Sequence, residues 1–431
     1  MDSIAIIGAG TFGLSTALEL ARLGHIDVTC YDKYPVPSPI AAGNDSNKIF
    51  DYEYIAPDEK PTTGERLALE AKDLWQKDPV FKEYYHPVGF IVAASSEKPL
   101  QSSEERFKEL REKGYKDYEF LDSPDQFRKL LPVLEGEMPN WRGYVLDKDN
   151  GWLHARNALI SAYEEAKKLG VKFVFGEDGE VVGFDSDGEL ITGIKSKSGK
   201  VFKSEKYVLT AGANAVSVLN FNQQLEGKCF TLAHIKVSDE EASKFKDLPV
   251  IFNYEKGFFF EADENNEIKI CNEFPGYTNL NEKGESMPFY KMEIPLEAAE
   301  DVRQYLRETM PKFADRPFVK TRICWCTDSP DRELILCTHP KYLNLSVASG
   351  DSGKSFMLLP VIGKYVAKIA LYGDHSLNEE DRKTWRWRPE TSDSRDNTQD
   401  RYGGKGIVTD LKDIDLWVSA ENPIPHKLQV E

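Results

Sequence analysis

The chain has 431 residues, with 40% hydrophobic and 11% aromatic side chains, enough for about two to three domains with a sizeable core. A formal charge of −17 argues against nucleic acid or an anionic membrane surface as a partner, and no apolar run approaches the ~20 residues that span a bilayer. Six scattered cysteines, none at zinc or thioredoxin spacing, fit a reducing compartment with no structural disulfide and no metal site. Met1 is followed at once by Asp2 and a strand, so no secretory leader is expected.

The first element is the apolar strand Ser3–Ile7, followed by Gly8-Ala-Gly10-Thr11-Phe12-Gly13 and an amphipathic helix to about Leu23. A second apolar strand, Val28–Tyr31, ends on Asp32, 24 residues after Gly8. This spacing suits a dinucleotide fingerprint. Gly8 permits a sharp turn, Gly10 lets the backbone approach a pyrophosphate, and Gly13 packs helix on strand. The helix N-terminus faces the phosphates and Asp32 accepts from the ribose. Nicotinamide and flavin both remain open at this point.

Residues of about 60–145 read as charged and helical. Ala155–Leu169 is an amphipathic helix and Val171–Phe175 an alternating strand. Three short β-segments broken by Ser-Asp-Gly and Lys-Ser-Gly turns follow, then the apolar strand Tyr207–Thr210 and Ala211-Gly212-Ala213. Such a meander suits an FAD-binding fold better than a plain dehydrogenase domain, which alternates βαβα; an unrelated β-rich subdomain is the competing reading. Residues of about 225–320 read as strands and then the acidic helix Leu296–Glu308. Two strands at Leu334–Cys337 and Leu343–Ala348 lead to Gly350-Asp351-Ser352-Gly353-Lys354. A helix over Phe356–Leu371 is expected next, its N-terminus available to a cofactor oxygen.

The fold class expected is α/β: a Rossmann-like FAD-binding domain with a β-meander, plus an α+β substrate domain on a mainly antiparallel sheet. Residues 1–60, 146–224 and 321–378 are assigned to the first, 61–145 and 225–320 to the second, and 379–431 to a C-terminal tail bearing a possible pocket loop.

Several separated stretches, GAGTFGLSTA, AAGNDSNKIF, EIKICNEFPGY, ELILCTHP, ASGDSGKSF and WRWRPE, together resemble the fungal fructosyl amino acid oxidases, or amadoriases, of the sarcosine oxidase superfamily. The similarity runs from Ser3 to about Trp417. The glycine motif is generic, whereas AGNDSNK and the later pair of motifs are specific. The resemblance implies FAD joined by a thioether from a cysteine to the flavin 8α carbon, matched to Cys337. It implies an Amadori product as substrate. Hydride passes from the carbon beside the amine to flavin, the imine hydrolyses to glucosone and free amino acid, and oxygen is reduced to hydrogen peroxide.

The resemblance also implies roles for individual residues. Lys269 matches the oxygen-activating lysine, which would otherwise read as a solvent-facing strand residue. Glu273 binds the substrate, Asn47 shapes oxygen access, and Lys48 stabilises anionic flavin. Arg401 holds the substrate carboxylate, with Arg395 the alternative. Gly350, Asp351, Gly353 and Lys354 approach the cofactor. Many relatives carry a lysine where this chain has Met357, which leaves the carboxylate clamp open. Sarcosine, pipecolate or saccharopine oxidation and a non-catalytic flavin carrier stand as alternatives. The partners expected are a small glycated amino acid and oxygen, with no nucleic acid and no membrane, in a monomer or small homo-oligomer. The chain ends Gln429-Val430-Glu431 without the peroxisomal tripeptide frequent in related fungal enzymes; cytosol is the default expectation.

Overall fold

The structure, a computed structural model, describes residues 2–52, 60–115, 119–146, 148–394 and 408–428. Its first layer is a six-stranded sheet. In spatial order the strands are Ile335–Thr338, Leu345–Ser349, Lys206–Leu209, Ile4–Ile7, Val28–Tyr31 and Lys172–Val174. All pair in parallel except Ile335–Thr338, which returns antiparallel on Leu345–Ser349. Ile4–Ile7 is buried on both faces, as its continuous apolar run requires in a sheet covered by helices. Helices Thr11–Arg22, Ala155–Lys168 and Ile362–Tyr372 cover the face of Ile4 and Ile6, and the face of Ala5 and Ile7 packs with Ile191 and Ile194. The expected meander is present as a separate antiparallel sheet of Val181–Asp187, Leu190–Ser196 and Val201–Phe202.

The second layer is a nine-stranded, mainly antiparallel sheet. At one end Phe318–Asp328, Glu226–Lys236 and Glu267–Thr278 lie side by side. The sheet continues through Gly257–Phe259 and Val250–Asn253 to Phe90–Ala94 and Arg142–Leu146. Helix Leu296–Thr309 packs Val302, Tyr305 and Leu306 into the core of this layer. The fold is therefore the expected α/β architecture with an added mainly antiparallel sheet.

The physical packing moves two of the boundaries drawn from sequence. Helix Thr63–Lys77 buries Leu67, Ala71 and Trp75 in the core of the nucleotide layer, although residues 61–145 were assigned to the substrate domain. Strand Phe318–Asp328 belongs wholly to the large sheet, whereas the sequence pattern puts the return to the nucleotide domain at residue 321. The helix expected from Phe356 also starts later. A 3-10 turn covers Ser355–Leu358, Pro360 interrupts, and the α-helix begins at Ile362. Pro360 has no N–H to continue the ladder, so the hydrogen bonding breaks there although Leu359 before it keeps helical backbone. The N-terminus of the α-helix is thus not next to Gly353. Among the described residues no helix is long and apolar enough to cross a membrane.

Candidate active site

A cavity of about 530 Å³ runs from the first glycine turn, past the start of the meander, to the face of the large sheet. Gly8, Gly10, Thr11, Phe12, Asp32, Ala211 and Gly212 line the end nearest the parallel sheet. Gly8 has φ +105°, and a Cβ there would stand 2.6 Å from the Thr210 carbonyl oxygen. At Gly13 a Cβ would lie 1.8 Å from the Gly8 carbonyl oxygen; this glycine brings helix onto turn and does not itself line the cavity. Around Gly10 a Cβ would meet nothing within 4 Å, so its backbone stands open to a phosphate. The Asp32 carboxylate accepts from the Ala9 and Tyr34 backbone N–H groups at 2.8 and 3.0 Å. Burial raises its pKa against these donors. It therefore holds the turn together as well as facing the cavity. The open glycine backbone, the acid and the elongated cavity fit FAD.

Asp351 and Gly353 border the same cavity farther along. Asp351 accepts from both the backbone N–H and the hydroxyl of Thr327, each at 2.7 Å, and its burial raises its pKa. Gly350 and Lys354, expected beside them, are not on the cavity wall. Gly350 serves the turn with φ +76°, and burial lowers the pKa of Lys354.

The far wall is the large sheet. Strand alternation and direct cross-strand pairing put Arg322 and Cys324, Leu232 and His234, and Lys269 and Cys271 on one face. Cys271, Leu232 and Cys324 reach the cavity. Against this face lies the Gly43–Lys48 loop, and its Asp45 gathers three cations on a single oxygen. Asp45 Oδ2 lies 2.8 Å from Lys269 Nζ, 3.2 Å from Lys48 Nζ and 3.6 Å from Arg322 Nη2. Burial alone would raise the Asp45 carboxyl, but Lys269, Lys48 and Arg322 hold it well below the usual carboxylate range. Lys269 also donates to the Asn47 backbone oxygen at 2.7 Å and sits 5.0 Å from the centre of the Phe260 ring. The cluster carries three positive charges and one negative, a net excess that favours an anion nearby.

The structure thus brings Lys269, Lys48 and the Asn47 backbone together, but in two tiers. Lys48 lines the cavity; Lys269 and Asn47 lie buried behind the wall. The Asn47 side-chain oxygen is buried without a hydrogen-bond partner. Glu273 lies on the same strand as Lys269, but its side chain is not among those described, and Arg401 and Arg395 lie outside the described residues. Met357 packs in the nucleotide-layer core, where its carbonyl accepts from Trp75 Nε1 at 2.7 Å.

Cys337 is the clearest correction. It is 2% exposed, in an apolar cluster with Ile335, Leu345, Val347 and Tyr207, and is not on the cavity wall. Burial pushes its thiol pKa up, and its surroundings are those of a core cysteine. The thiols on the wall are Cys271, Cys324 and Cys326. Sequence reasoning missed Asp45, Arg322 and Cys324. The available signal was the alternation Arg322-Ile-Cys324-Trp-Cys326, which puts polar groups on one strand face.

Fold and cavity together define a dinucleotide-binding oxidoreductase. A family model described as FAD dependent oxidoreductase matches residues 3–369, and the chain belongs to that family. L-saccharopine oxidase of Schizosaccharomyces pombe is 31% identical over 416 residues, covering 90% of this chain and 93% of the relative. Among solved structures, the fructosyl amine:oxygen oxidoreductase Amadoriase I of Aspergillus fumigatus superposes with a TM-score of 0.89 at 40% identity, covering 97% of both chains. Amadoriase II of the same fungus, a deglycating fructosamine oxidase in complex with FSA, gives 0.90 at 42% identity, again over 97% of both chains.

Proposed function

We propose that this chain is an FAD-dependent oxidase of fructosyl amino acids. The observation that carries this reading is the 40% identity to Amadoriase I over 97% of both chains; the net-positive cluster beside the cavity supports it. When bound, FAD would take hydride from the carbon next to the substrate amine and return the electron pair to oxygen. The chain's own residues bind, orient and provide charge. Gly8, Gly10 and Asp32 hold the adenosine and pyrophosphate end. Lys48 on the wall and Lys269 behind it supply the positive potential that an oxygen-centred anion requires, and Asp45 keeps both in place. Glu273 is the proposed contact to the sugar or amine, and Arg401 the proposed grip on the carboxylate, for which a planar guanidinium is suited. The oxidised substrate leaves as an imine and hydrolyses to glucosone and free amino acid, with hydrogen peroxide as the second product.

Covalent attachment of the flavin is part of the same proposal, and its thiol is reassigned from Cys337 to Cys324. Cys324 lines the cavity and is half-buried rather than sealed. Saccharopine oxidation is the second reading, favoured by the 31% identical relative. A peroxide assay with fructosyl-valine, fructosyl-lysine and saccharopine separates the two. Turnover of either fructosyl substrate well above saccharopine is expected; activity on saccharopine alone would replace the first reading with the second.

A further inference from the structure

Arg322 is a buried cation with no assigned task. It is 7% exposed, and its Nε and Nη2 have no hydrogen-bond acceptor. Its nearest carboxylate oxygen, Asp45 Oδ2, is 3.6 Å from Nη2, long for a hydrogen bond, and is already shared with Lys269 and Lys48. Leaving buried charged donors unmatched is costly, so the site calls for a second negative group. Two residues along the same strand face stands Cys324, directly paired with Phe230 as Arg322 is with Leu232. Burial works against the Arg322 charge, yet Cys324, then Asp45 and Cys271, outweigh it and raise its pKa.

We propose that Arg322 is the cation that stabilises the Cys324 sulfur as an anionic nucleophile while it bonds to the flavin. This rests on the reading of Cys324 as the attachment site. The Cys324 sulfur loses its proton and forms the bond to the 8α carbon. One C–H bond of that carbon breaks and its proton goes to solvent. The electron pair passes into the ring system and on to dioxygen, which is reduced to hydrogen peroxide. A thiolate at Cys324 brings a second negative charge to the three cations, and the adjacent Arg322 donors have an acceptor during the attack. Thiolates beside arginine are favoured on general grounds. Arg322 acts through Cys324 and is a positioning residue, not a catalytic one.

The test follows flavin attachment rather than turnover. Full-length protein produced without flavin is mixed with FAD, and acid-stable flavin on the chain is measured over time by fluorescence on a denaturing gel and by mass. Wild type is expected to label fully. Arg322→Met and Arg322→Gln should slow labelling on the order of tenfold or more, and Arg322→Lys should restore most of the rate because it keeps the charge. Labelling of Arg322→Met at the wild-type rate, or Arg322→Lys as slow as Arg322→Met, would overturn the role of Arg322. Acid-stable flavin on Cys324→Ser would instead overturn the attachment site beneath it. If the neutral variants do not fold, the flavin-free wild-type chain decides. Alkylation of Cys324 by anionic iodoacetate, relative to neutral iodoacetamide, should be faster than the same ratio for a free small thiol; an equal or lower ratio refutes a facing cation.

Discussion

The two ends of the cavity are built by opposite means. At the nucleotide end the working groups are backbone: Gly8, Gly10 and the helix that starts at Thr11, tied by Asp32 to the Ala9 N–H within a span of 23 residues. At the sheet end the working groups are side chains drawn from distant segments. Lys269 reaches Asp45 across 224 residues of sequence, and Arg322 joins from a third strand. A binding turn made of backbone tolerates most side chains that point away from it and fails wherever a Cβ intrudes. A cluster of three cations on one carboxylate fails when that carboxylate is removed and survives the loss of a single cation.

That contrast can be broken most severely at Asp45. Asp45→Asn leaves buried Lys269 and Arg322 and part-exposed Lys48 without their shared counter-charge and is expected to cost about 3–5 kcal/mol of stability at neutral pH, measured by urea unfolding. The sign with pH follows from the depressed folded-state pKa. Its stabilisation is fully present above the unfolded value of about 3.9 and is lost as pH falls through the depressed folded value. The gap between wild type and Asp45→Asn should therefore narrow below about pH 4; a gap independent of pH would mean the carboxylate charge is not what stabilises the cluster.

Next is Lys269→Met, which removes one cation and leaves Asp45 paired with Lys48. Reoxidation by oxygen should slow by about 10²–10³-fold and reduction by substrate far less. Stopped-flow on each half-reaction reads this, and equal slowing of both would count against an oxygen role. At the opposite end, Gly13→Ala drives a Cβ to 1.8 Å from a backbone oxygen. It should cost about 1–3 kcal/mol and weaken FAD retention on dialysis without altering the oxygen half-reaction of the enzyme that stays loaded.

Smaller effects sharpen the same picture. Asn47→Ala removes only the side-chain amide and keeps the backbone oxygen that accepts from Lys269, so it should lower the oxygen rate by less than about tenfold, while dye-linked turnover persists. Cys337→Ser should keep its acid-stable flavin and lose only about 1–2 kcal/mol, the cost of a hydroxyl in an apolar cluster. Loss of the flavin link in that variant would reinstate Cys337 and remove Cys324.

Legibility followed the same divide. The turn at Gly8–Gly13, Asp32 and the meander could be read in order, because each depends on residues a few positions apart and on strand or helix period. The helix after Gly353 was misplaced because the apolar pattern across Phe356–Leu371 outweighed Pro360, which interrupts it. Cys337 looked suitable at the end of an apolar strand, yet burial in an edge strand of the nucleotide sheet takes its sulfur away from the cavity. Cys324 looked like a core thiol between Ile323 and Trp325, yet its face of the large sheet is the cavity wall.

By itself the sequence determined the dinucleotide turn, the layered α/β fold and the family resemblance, because local backbone geometry and hydrophobic period are written in neighbouring residues. Only the tertiary structure decided which cysteines face the cavity and that Asp45, Lys48, Lys269 and Arg322 form one cluster. Coulombic attraction depends on distance through space, and the chain reveals that distance only after its sheets have paired.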